Sequence, residues 1–313
     1  MKISVAAVQI ESRNGDFEEN RKRAEEYILE AVKKGAKLIS LPEFALTGYI
    51  FSDSMWKEAE PLKGRTYQWL NGLCEKHKVY IATCILEKDK EDFFDTFILC
   101  GPDNRLWSHR KVEPFSYEAF YFKGAGLNPN VFDTPIGRIG IVICMDSSKT
   151  YSIASLIKNR PDLLLMQFSC PEFPPFFPEK VRNNWVDTFK IAPLLYAKHL
   201  RVPVVASNKT GICSTPIPLG LGMKYSSSFI DQSTIVDKNG NIVSVISNKP
   251  GVICCEVETA SKDDLINQNI NNGRWYLPYN FISRFVTEYA QKTGIIRYKF
   301  SGRRKMAATG RQE

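Results

Sequence analysis

Three side chains able to attack a carbonyl carbon and stabilise the resulting charge each follow an apolar segment that is typical of a β-strand. They are the thiol of Cys144, the carboxyl of Glu43 and the amine of Lys111. Open α/β sheets carry their chemistry at the carboxyl ends of their strands, so these positions favour one common site. Cys144 is a candidate nucleophile, although most free cysteines are buried and inert.

A cysteine nucleophile needs a base that removes the thiol proton and donors that hold an oxyanion. Apolar neighbours such as Phe44 are expected to raise the pKa of Glu43, which suits a base that takes this proton and returns it to a leaving amine. The ammonium of Lys111 favours the thiolate and stabilises negative charge on an attacked carbonyl. Taken singly, the two residues also fit a solvated strand end and a lysine that protects a sheet edge.

Other residues fit these roles less well. His77 and His199 fall in predicted amphipathic helices, and His109, near a strand end, is the least unfavourable histidine base. A papain-like cysteine-histidine pair is therefore not expected. Cys170 is a weaker alternative nucleophile, because Pro171 lacks the N–H group that would help to hold an oxyanion.

Strand-like and helix-like patterns alternate along the chain, which predicts an α/β domain with two sheets and helices outside them. Turns that join neighbouring strand patterns indicate that the sheets are mixed. Period-two or continuous apolar patterns predict strands at 3–10, 37–41, 79–86, 93–100, 106–109, 140–143, 163–168, 202–207, 226–236, 242–246 and 252–257. Helical periodicity predicts helices at 18–34, 64–77, 149–159 and 179–199.

Composition limits the class of protein. The 313 residues are 43% hydrophobic and 24% charged, as in globular proteins, and the eight cysteines lack the spacing of a disulfide framework or zinc site. No apolar run would cross a membrane, and residues 1–10 turn polar too quickly for a secretory signal, so we expect a cytoplasmic protein. Much of the net charge of +8 lies beyond residue 296. With few interleaved aromatic residues, these charges indicate a solvated tail rather than a nucleic-acid site.

Three motifs, in this order and at this separation, resemble the nitrilase superfamily of carbon-nitrogen hydrolases. They are Leu41–Tyr49, Arg110–Val112 and Ile143–Asp146. The similarity extends from the first strand to about residue 285. It implies a four-layer αββα sandwich with mixed sheets, a single carbon-nitrogen hydrolase domain over residues 1–285 and a basic tail over 286–313, and it implies homodimers.

By the same resemblance, Glu43 would be the general base, Lys111 the stabiliser of the oxyanion and Cys144 the nucleophile. The backbone N–H of Met145 would complete the oxyanion site, and the reaction would need neither a cofactor nor a metal. Many members carry a second glutamate after the lysine. Glu118 is the candidate here, although its spacing is unusual, and Glu113 is a poorer rival.

Departures from the family pattern bear on the substrate. Members that act on nitriles typically carry Trp-Glu after the cysteine, whereas Met145-Asp146 is closer to amidases and carbamoyl-cleaving relatives. The loop at 168–178 is rich in phenylalanine and proline and lies where relatives contact substrate, although it fits packing on a dimer partner equally well. The residues expected to contact substrate are Phe44, Phe115, Phe168 and Ser169.

The sequence therefore predicts a hydrolase that cleaves a non-peptide C–N bond of a small amide or N-carbamoyl compound through a thioester. Nitrile hydrolysis and acyl transfer to an acceptor other than water remain alternatives within the enzymes. A non-catalytic scaffold acting through the basic tail is the alternative from another class of protein. A scaffold has no need of Glu43, Lys111 and Cys144 together, so their joint presence favours the enzyme.

Overall fold

A computed structural model describes residues 1–218, 222–261, 264, 266–267, 269–270 and 273–309. Its helices are α1 (Phe17–Lys33), α2 (Arg65–His77), α3 (Thr150–Asn159), α4 (Glu179–Leu200), α5 (Phe281–Phe300) and α6 (Gly302–Thr309). Its strands are β1 (Lys2–Gln9), β2 (Leu38–Ser40), β3 (Tyr80–Asp89), β4 (Asp92–Gly101), β5 (Arg105–Arg110), β6 (Val131–Thr134), β7 (Gly137–Ile143), β8 (Leu163–Gln167), β9 (Val204–Ser207), β10 (Ile212–Pro216), β11 (Lys224–Ser228), β12 (Gln232–Val236), β13 (Ile242–Ser247) and β14 (Gly251–Glu258).

The strands form two six-stranded mixed sheets and one short hairpin. The first sheet has the order β14-β1-β2-β3-β4-β5, and the second has the order β13-β12-β9-β8-β7-β6. In each sheet the three central strands are parallel, namely β1-β2-β3 and β7-β8-β9, and the outer strands pair antiparallel. The remaining strands, β10 and β11, pair with each other.

The two sheets pack face to face, and each is covered by helices on its other face. Side chains of both sheets, such as Leu38 and Ile141, share one buried cluster, which also contains Phe189 of α4. A second cluster joins Ile39 of the first sheet to Ile28 of α1. Because both faces of each sheet are covered, the central strands are almost continuously apolar. The predicted αββα sandwich is confirmed.

Three local features differ from the sequence-based expectations. The expected strand at 226–236 is two strands, because Phe229 and Ile230 leave the β10–β11 hairpin and donate backbone bonds to Gly211 and Cys170. Strand β6 was not anticipated. The boundary placed at residue 285 falls inside α5.

The segment expected to be a solvated tail is helical, and parts of it pack against the rest of the protein. Gly294 of α5 lies against Ala119, so closely that an added Cβ would approach the Ala119 carbonyl carbon to 2.7 Å. Arg304 of α6 is buried and forms an ion pair of 2.9 Å with Asp92. The segment is helical and amphipathic, so it packs while its remaining charges face solvent. No described helix has the length and apolar character of a membrane-spanning segment.

Buried polar bonds join the carboxyl ends of strands that belong to different sheets. The Gln167 amide at the end of β8 donates to the Ser40 hydroxyl at the end of β2 over 3.3 Å. The Ser207 hydroxyl at the end of β9 donates to the Ser40 carbonyl over 2.9 Å. Satisfied polar bonds inside an apolar core fix one relative placement of the elements they join. They hold together the strand ends around which the predicted site residues lie.

Candidate active site

The structure brings Glu43, Lys111 and Cys144 together between the two sheets. Glu43 lies three residues after β2, Lys111 directly after β5 and Cys144 directly after β7. All three are at most 2% exposed. Burial raises the pKa of the Cys144 thiol well above its ordinary value, the charge of Glu43 raises it further and Lys111 lowers it. A thiol with a raised pKa stays neutral near pH 7, so a nucleophilic role for Cys144 requires a base.

The turns that carry two of these residues have a strained backbone. Cys144 has a φ of 44°, and Phe44, next to Glu43, has a φ of 51°. This left-handed region costs a residue with a Cβ about 1–2 kcal/mol. Such strain is found at functional sites, where the surrounding packing holds a side chain in place. Here the left-handed conformations of Cys144 and Phe44 allow the backbone to turn sharply after β7 and after β2.

The ammonium of Lys111 lies among three buried carboxyl groups. Its Nζ is 2.6 Å from Glu43 Oε1, 2.7 Å from Glu118 Oε2 and 3.3 Å from Asp95 Oδ2. One oxygen of each carboxyl lies within 4.8 Å of the others. Such a group of carboxylates is able to hold a metal ion, but here the ammonium of Lys111 provides the positive charge at its centre.

This arrangement sets the protonation of the site. Burial raises the pKa of Glu43 well above its ordinary value, the charge of Lys111 opposes the rise, and Asp95 and Glu118 increase it. The pKa of Glu118 is also raised by burial. Burial lowers the pKa of Lys111, but the carboxylates more than reverse this and leave it well above normal. A lysine that stays charged beside a carboxyl with a raised pKa suits general base catalysis near neutral pH.

Glu118 is held by bonds to both of its oxygens. Besides Lys111, the Phe115 N–H donates to Oε2 over 2.8 Å and the Tyr49 hydroxyl donates to Oε1 over 3.3 Å. Its rival Glu113 instead forms an ion pair of 2.8 Å with Arg274, and both side chains are partly exposed. Of the two glutamates considered, the geometry favours Glu118.

Glu43 has one oxygen left for chemistry. Its Oε1 accepts from Lys111, whereas Oε2 is buried without a hydrogen-bond partner among the described residues. A buried carboxylate oxygen without a partner is costly unless it has a role. It is available to accept a proton from a thiol or a water molecule.

Cys144 begins a short 3-10 helix, Cys144–Ser148, whose first N–H groups have no acceptors within the helix. The N–H of Met145 belongs to this group, which fits the oxyanion role expected from the family resemblance. The carboxylate of Asp146, one residue later, accepts from the Val112 N–H over 2.9 Å and from the Tyr151 hydroxyl over 2.5 Å. The hydrogen bond to Val112 connects the turn after Cys144 to the turn after Lys111.

Two residues of the site were not anticipated from the sequence. Asp95 interrupts the apolar strand β4, and Tyr49 ends the motif that begins at Leu41. A carboxylate inside an apolar strand was the available signal for Asp95, since buried charges are rare without partners. Tyr49 carried no comparable signal, because a tyrosine in an apolar segment is ordinary.

The structure also shows the surroundings of the weaker base candidate, His109, and the weaker nucleophile candidate, Cys170. His109 is buried on β5, its Nδ1 is 2.9 Å from the Pro129 carbonyl oxygen, and burial lowers its pKa to about 4. It is therefore neutral and bound to the backbone of a loop rather than directed at Cys144. Burial raises the pKa of the Cys170 thiol well above its ordinary value, and Glu43 raises it further.

The four expected substrate contacts have different positions. Only Phe115 lines the cavity of about 380 Å³ whose wall also includes Tyr49. Phe44 packs in the core, with its ring centroid 5.4 Å from that of Tyr49. Phe168 packs edge-on against Phe189 at 5.6 Å, so its expected contact with substrate is not supported. Ser169 is fully buried, and its hydroxyl has no hydrogen-bond partner among the described residues.

We call this cavity the aromatic groove. Its lining does not include Glu43, Lys111 or Cys144. Two of its aromatic residues, Tyr49 and Phe115, donate to Glu118, which connects the groove to the buried charges. Six of the aromatic residues that line it are Tyr49, Phe51, Phe115, Phe173, Phe177 and Trp185.

Comparison with known proteins places the chain among hydrolases. The family model described as carbon-nitrogen hydrolase matches residues 4–263. A nitrilase of Pyrococcus abyssi is 30% identical over 196 residues, which are 59% of this chain and 73% of that protein. The omega-amidase NIT2 of Homo sapiens is 30% identical over 155 residues, 46% of this chain and 55% of that protein. The crystal structure of a carbon-nitrogen hydrolase from Helicobacter pylori aligns with a TM-score of 0.74, at 17% identity over 82% of this chain and 90% of that one.

Proposed function

The chain belongs to the carbon-nitrogen hydrolase family, whose members hydrolyse C–N bonds other than peptide bonds, and from this premise we propose that it is a cysteine-dependent amidase. Its substrate is a small amide or an N-carbamoyl compound. The observation that carries the proposal is the buried convergence of Lys111 with Glu43, at 2.6 Å, next to the thiol of Cys144. A nucleophile, a base and a fixed cation in one dry site are the parts that acyl transfer requires.

In the first step Glu43 takes the thiol proton while the sulfur of Cys144 bonds to the amide carbon. The electron pair of the C=O bond moves to oxygen. The ammonium of Lys111 and the N–H of Met145 stabilise this oxyanion. Because both donors are in place before the charge develops, little reorganisation is needed in the transition state. When the oxygen pair re-forms the double bond, the C–N bond breaks and ammonia or an amine leaves with the proton from Glu43.

In the second step water attacks the thioester and transfers a proton to Glu43. The second oxyanion collapses with cleavage of the C–S bond, and the sulfur takes the proton back. The products are a carboxylic acid, or a carbamic acid from an N-carbamoyl compound, and the free enzyme. No electron leaves or enters the site, so the cycle balances as hydrolysis. Glu118 and Asp95 act through Lys111, which they hold in place and keep charged.

The experiment is a screen for ammonia release from acetamide, butyramide, N-carbamoyl glycine and butyronitrile, with wild type and Cys144→Ala. We expect wild type to hydrolyse at least one amide or N-carbamoyl compound and Cys144→Ala to hydrolyse none. Activity on the nitrile alone would favour nitrile hydrolysis, and equal activity of the variant would overturn the role of Cys144.

A second measurement addresses the scaffold alternative. Iodoacetamide is itself a small amide, so Glu43 can take the thiol proton as the reagent enters the site, and intact-mass analysis should show an adduct in wild type that Cys144→Ala lacks. Slow labelling of several thiols in both proteins would instead support a non-catalytic scaffold. The cytoplasmic location and the homodimer stay predictions from the sequence, and light scattering on the purified chain measures the second.

A further inference from the structure

The aromatic groove adjoins the buried site through the bonds of Tyr49 and Phe115 to Glu118, and its chemistry restricts what a substrate can place there. Among the described residues that line it, nine are aromatic, none is acidic, and Lys224 at the outer end carries the one charge. We propose that the groove binds an apolar acyl arm, so that the enzyme acts on primary amides with an aromatic or extended aliphatic acyl group. This inference rests on the proposed function and deepens it.

Two series of ring contacts lead from the surface to Glu118. In one, Phe177 contacts Phe173 with ring centroids 4.7 Å apart, Phe173 contacts Trp185 at 4.9 Å, and Trp185 stacks on Phe115 at 5.8 Å. The Phe115 N–H then donates to Glu118. Rings that pack against one another in this way form a preformed apolar surface. Little conformational entropy is then lost when a ligand binds to it.

The other series lines the opposite side. Tyr117 contacts Phe51 at 6.0 Å, Phe51 contacts Tyr49 at 4.7 Å, and the Tyr49 hydroxyl donates to Glu118. Glu118 in turn bonds to the ammonium of Lys111 over 2.7 Å. Through Tyr49 and Glu118 the groove therefore adjoins the lysine that is proposed to stabilise the oxyanion.

The position of Glu43 decides which part of the substrate enters the groove. The leaving nitrogen must lie beside Glu43, which gives it a proton, and Glu43 is fully buried and does not line the groove. Ammonia, the leaving group of a primary amide, needs little space there. The groove, which adjoins Glu118 through Tyr49 and Phe115, is then left for the group attached to the carbonyl carbon. A volume of about 380 Å³ is large enough for a phenylalkyl chain.

One wall of the groove comes from α5, which lies beyond the segment matched by the family model. Val286, Thr287 and Ala290 contribute this wall. The groove is thus shaped by a part of the chain that the family pattern does not include. Ala290, with its small side chain, is the position where a larger residue would fill the groove without removing a polar contact.

The test compares kcat/KM for acetamide, hexanamide and 4-phenylbutyramide. We expect about 10- to 100-fold higher values for the two long amides than for acetamide, from the apolar area they bury. Ala290→Trp should remove most of this gain, so that kcat/KM for the two long amides falls toward the value for acetamide. The matched controls are Ala290→Ser, which keeps the groove open, and Tyr289→Trp, which adds the same ring at a position on α5 that is 68% exposed.

The outcomes separate the two proposals. If no amide is hydrolysed, the proposed function fails. If kcat/KM for acetamide equals that for the long amides, the proposed function stands and the acyl-arm inference is overturned. A 6-aminohexanamide that is as good a substrate as hexanamide would also overturn it, because a cationic end does not suit an apolar groove that ends at Lys224.

A direct binding measurement covers the case in which Ala290→Trp loses activity on every substrate. Calorimetric titration of Cys144→Ala with 4-phenylbutyramide should show saturable binding that the added Ala290→Trp change weakens. Absence of binding to Cys144→Ala would overturn the inference. So would a change of oligomeric state caused by Ala290→Trp in light scattering, since the groove would then be a contact between two copies of the chain.

Discussion

The carboxylate of Asp146 accepts a hydrogen bond of 2.9 Å from the backbone N–H of Val112. Asp146 lies two residues after Cys144, and Val112 lies one residue after Lys111, so this bond joins the nucleophile to the lysine that is proposed to stabilise its oxyanion. Both groups are buried. The distance between sulfur and ammonium thus depends on a residue that need not touch the substrate.

Asp146→Ala should lower kcat/KM by about 10- to 100-fold, because small displacements of reacting groups are costly in rate. Asp146→Asn keeps an oxygen that can accept from Val112 and should lose much less. Amide hydrolysis and thermal unfolding measured on both variants check this. Equal losses of activity in the two variants at equal stability would show that the hydrogen bond to Val112 is not what matters.

Glu43→Gln should lower the rate of acylation by about 100- to 10,000-fold, the contribution typical of a general base. The glutamine preserves an oxygen that can accept from Lys111, so the fold should be retained. Rapid-mixing mass spectrometry of the acyl-enzyme measures the step directly. Acylation at the wild-type rate would remove Glu43 as the base.

Asp95→Asn should move the acid limb of the kcat/KM profile to lower pH. The charge of Asp95 contributes to the raised pKa of Glu43, so a neutral amide lowers that pKa and leaves the base ionised at lower pH. The control is Asp133→Asn, the same change at an exposed position paired with Arg138. A limb that stays in place for both variants would argue against coupling between Asp95 and the base.

Gly294→Ala should destabilise the protein and Gly72→Ala should stabilise it. Both glycines lie in helices, where alanine is favoured by about 0.5–1 kcal/mol. An added Cβ at Gly72 meets nothing within 4 Å, whereas at Gly294 it lies 2.7 Å from Ala119. Overpacking costs about 1–3 kcal/mol, which outweighs the helical gain. Urea unfolding of the two variants measures the difference, and equal stabilisation would refute the close approach of α5.

Gly294→Ala should also reduce activity more than Gly72→Ala, because Ala119 directly follows Glu118. Both residues belong to the 3-10 helix Ser116–Phe120, and a shift of this helix moves the carboxylate that bonds to Lys111. Activity unchanged in the folded Gly294→Ala protein would show that α5 supports the fold without positioning Glu118.

Lys209→Met should stabilise the protein most strongly below pH 8. Lys209 is fully buried, its Nζ donates to the Phe44 carbonyl over 3.4 Å, and burial lowers its pKa from 10.5 to about 8. Below pH 8 the folded state therefore holds a buried charge that costs about 3 kcal/mol, since one unit of pKa corresponds to about 1.4 kcal/mol.

The sign of the pH dependence follows from this shift. Between pH 8 and 10.5 the unfolded lysine binds a proton that the folded lysine has lost, so wild-type stability rises with pH relative to that of Lys209→Met. The advantage of the variant should shrink over this interval. Urea unfolding at pH 7 and pH 10 checks it, and a difference that is constant with pH would show that Lys209 does not titrate in this range.

Much of the fold could be predicted because it depends on local patterns. The apolar strands that end before Glu43, Lys111 and Cys144 identify a sheet whose carboxyl ends carry charged and nucleophilic groups. The breaks in the 226–236 segment could not be predicted, because hydrogen bonds to Gly211 and Cys170, distant in sequence, decide where β11 and β12 separate. The packing of α5 was missed for a related reason, since its basic residues resemble a solvated tail until its partner surface is known.

The sequence by itself determined the class of fold and the three residue types of the predicted mechanism, because periodicity and short motifs are properties of neighbouring residues. Only the tertiary structure revealed Asp95 beside Lys111, the bonds that hold Glu118, and the groove closed by α5. These depend on contacts between residues far apart in the chain. The physical reason is burial: the charges of Glu43, Asp95, Glu118 and Lys111 affect one another strongly only where packing excludes water.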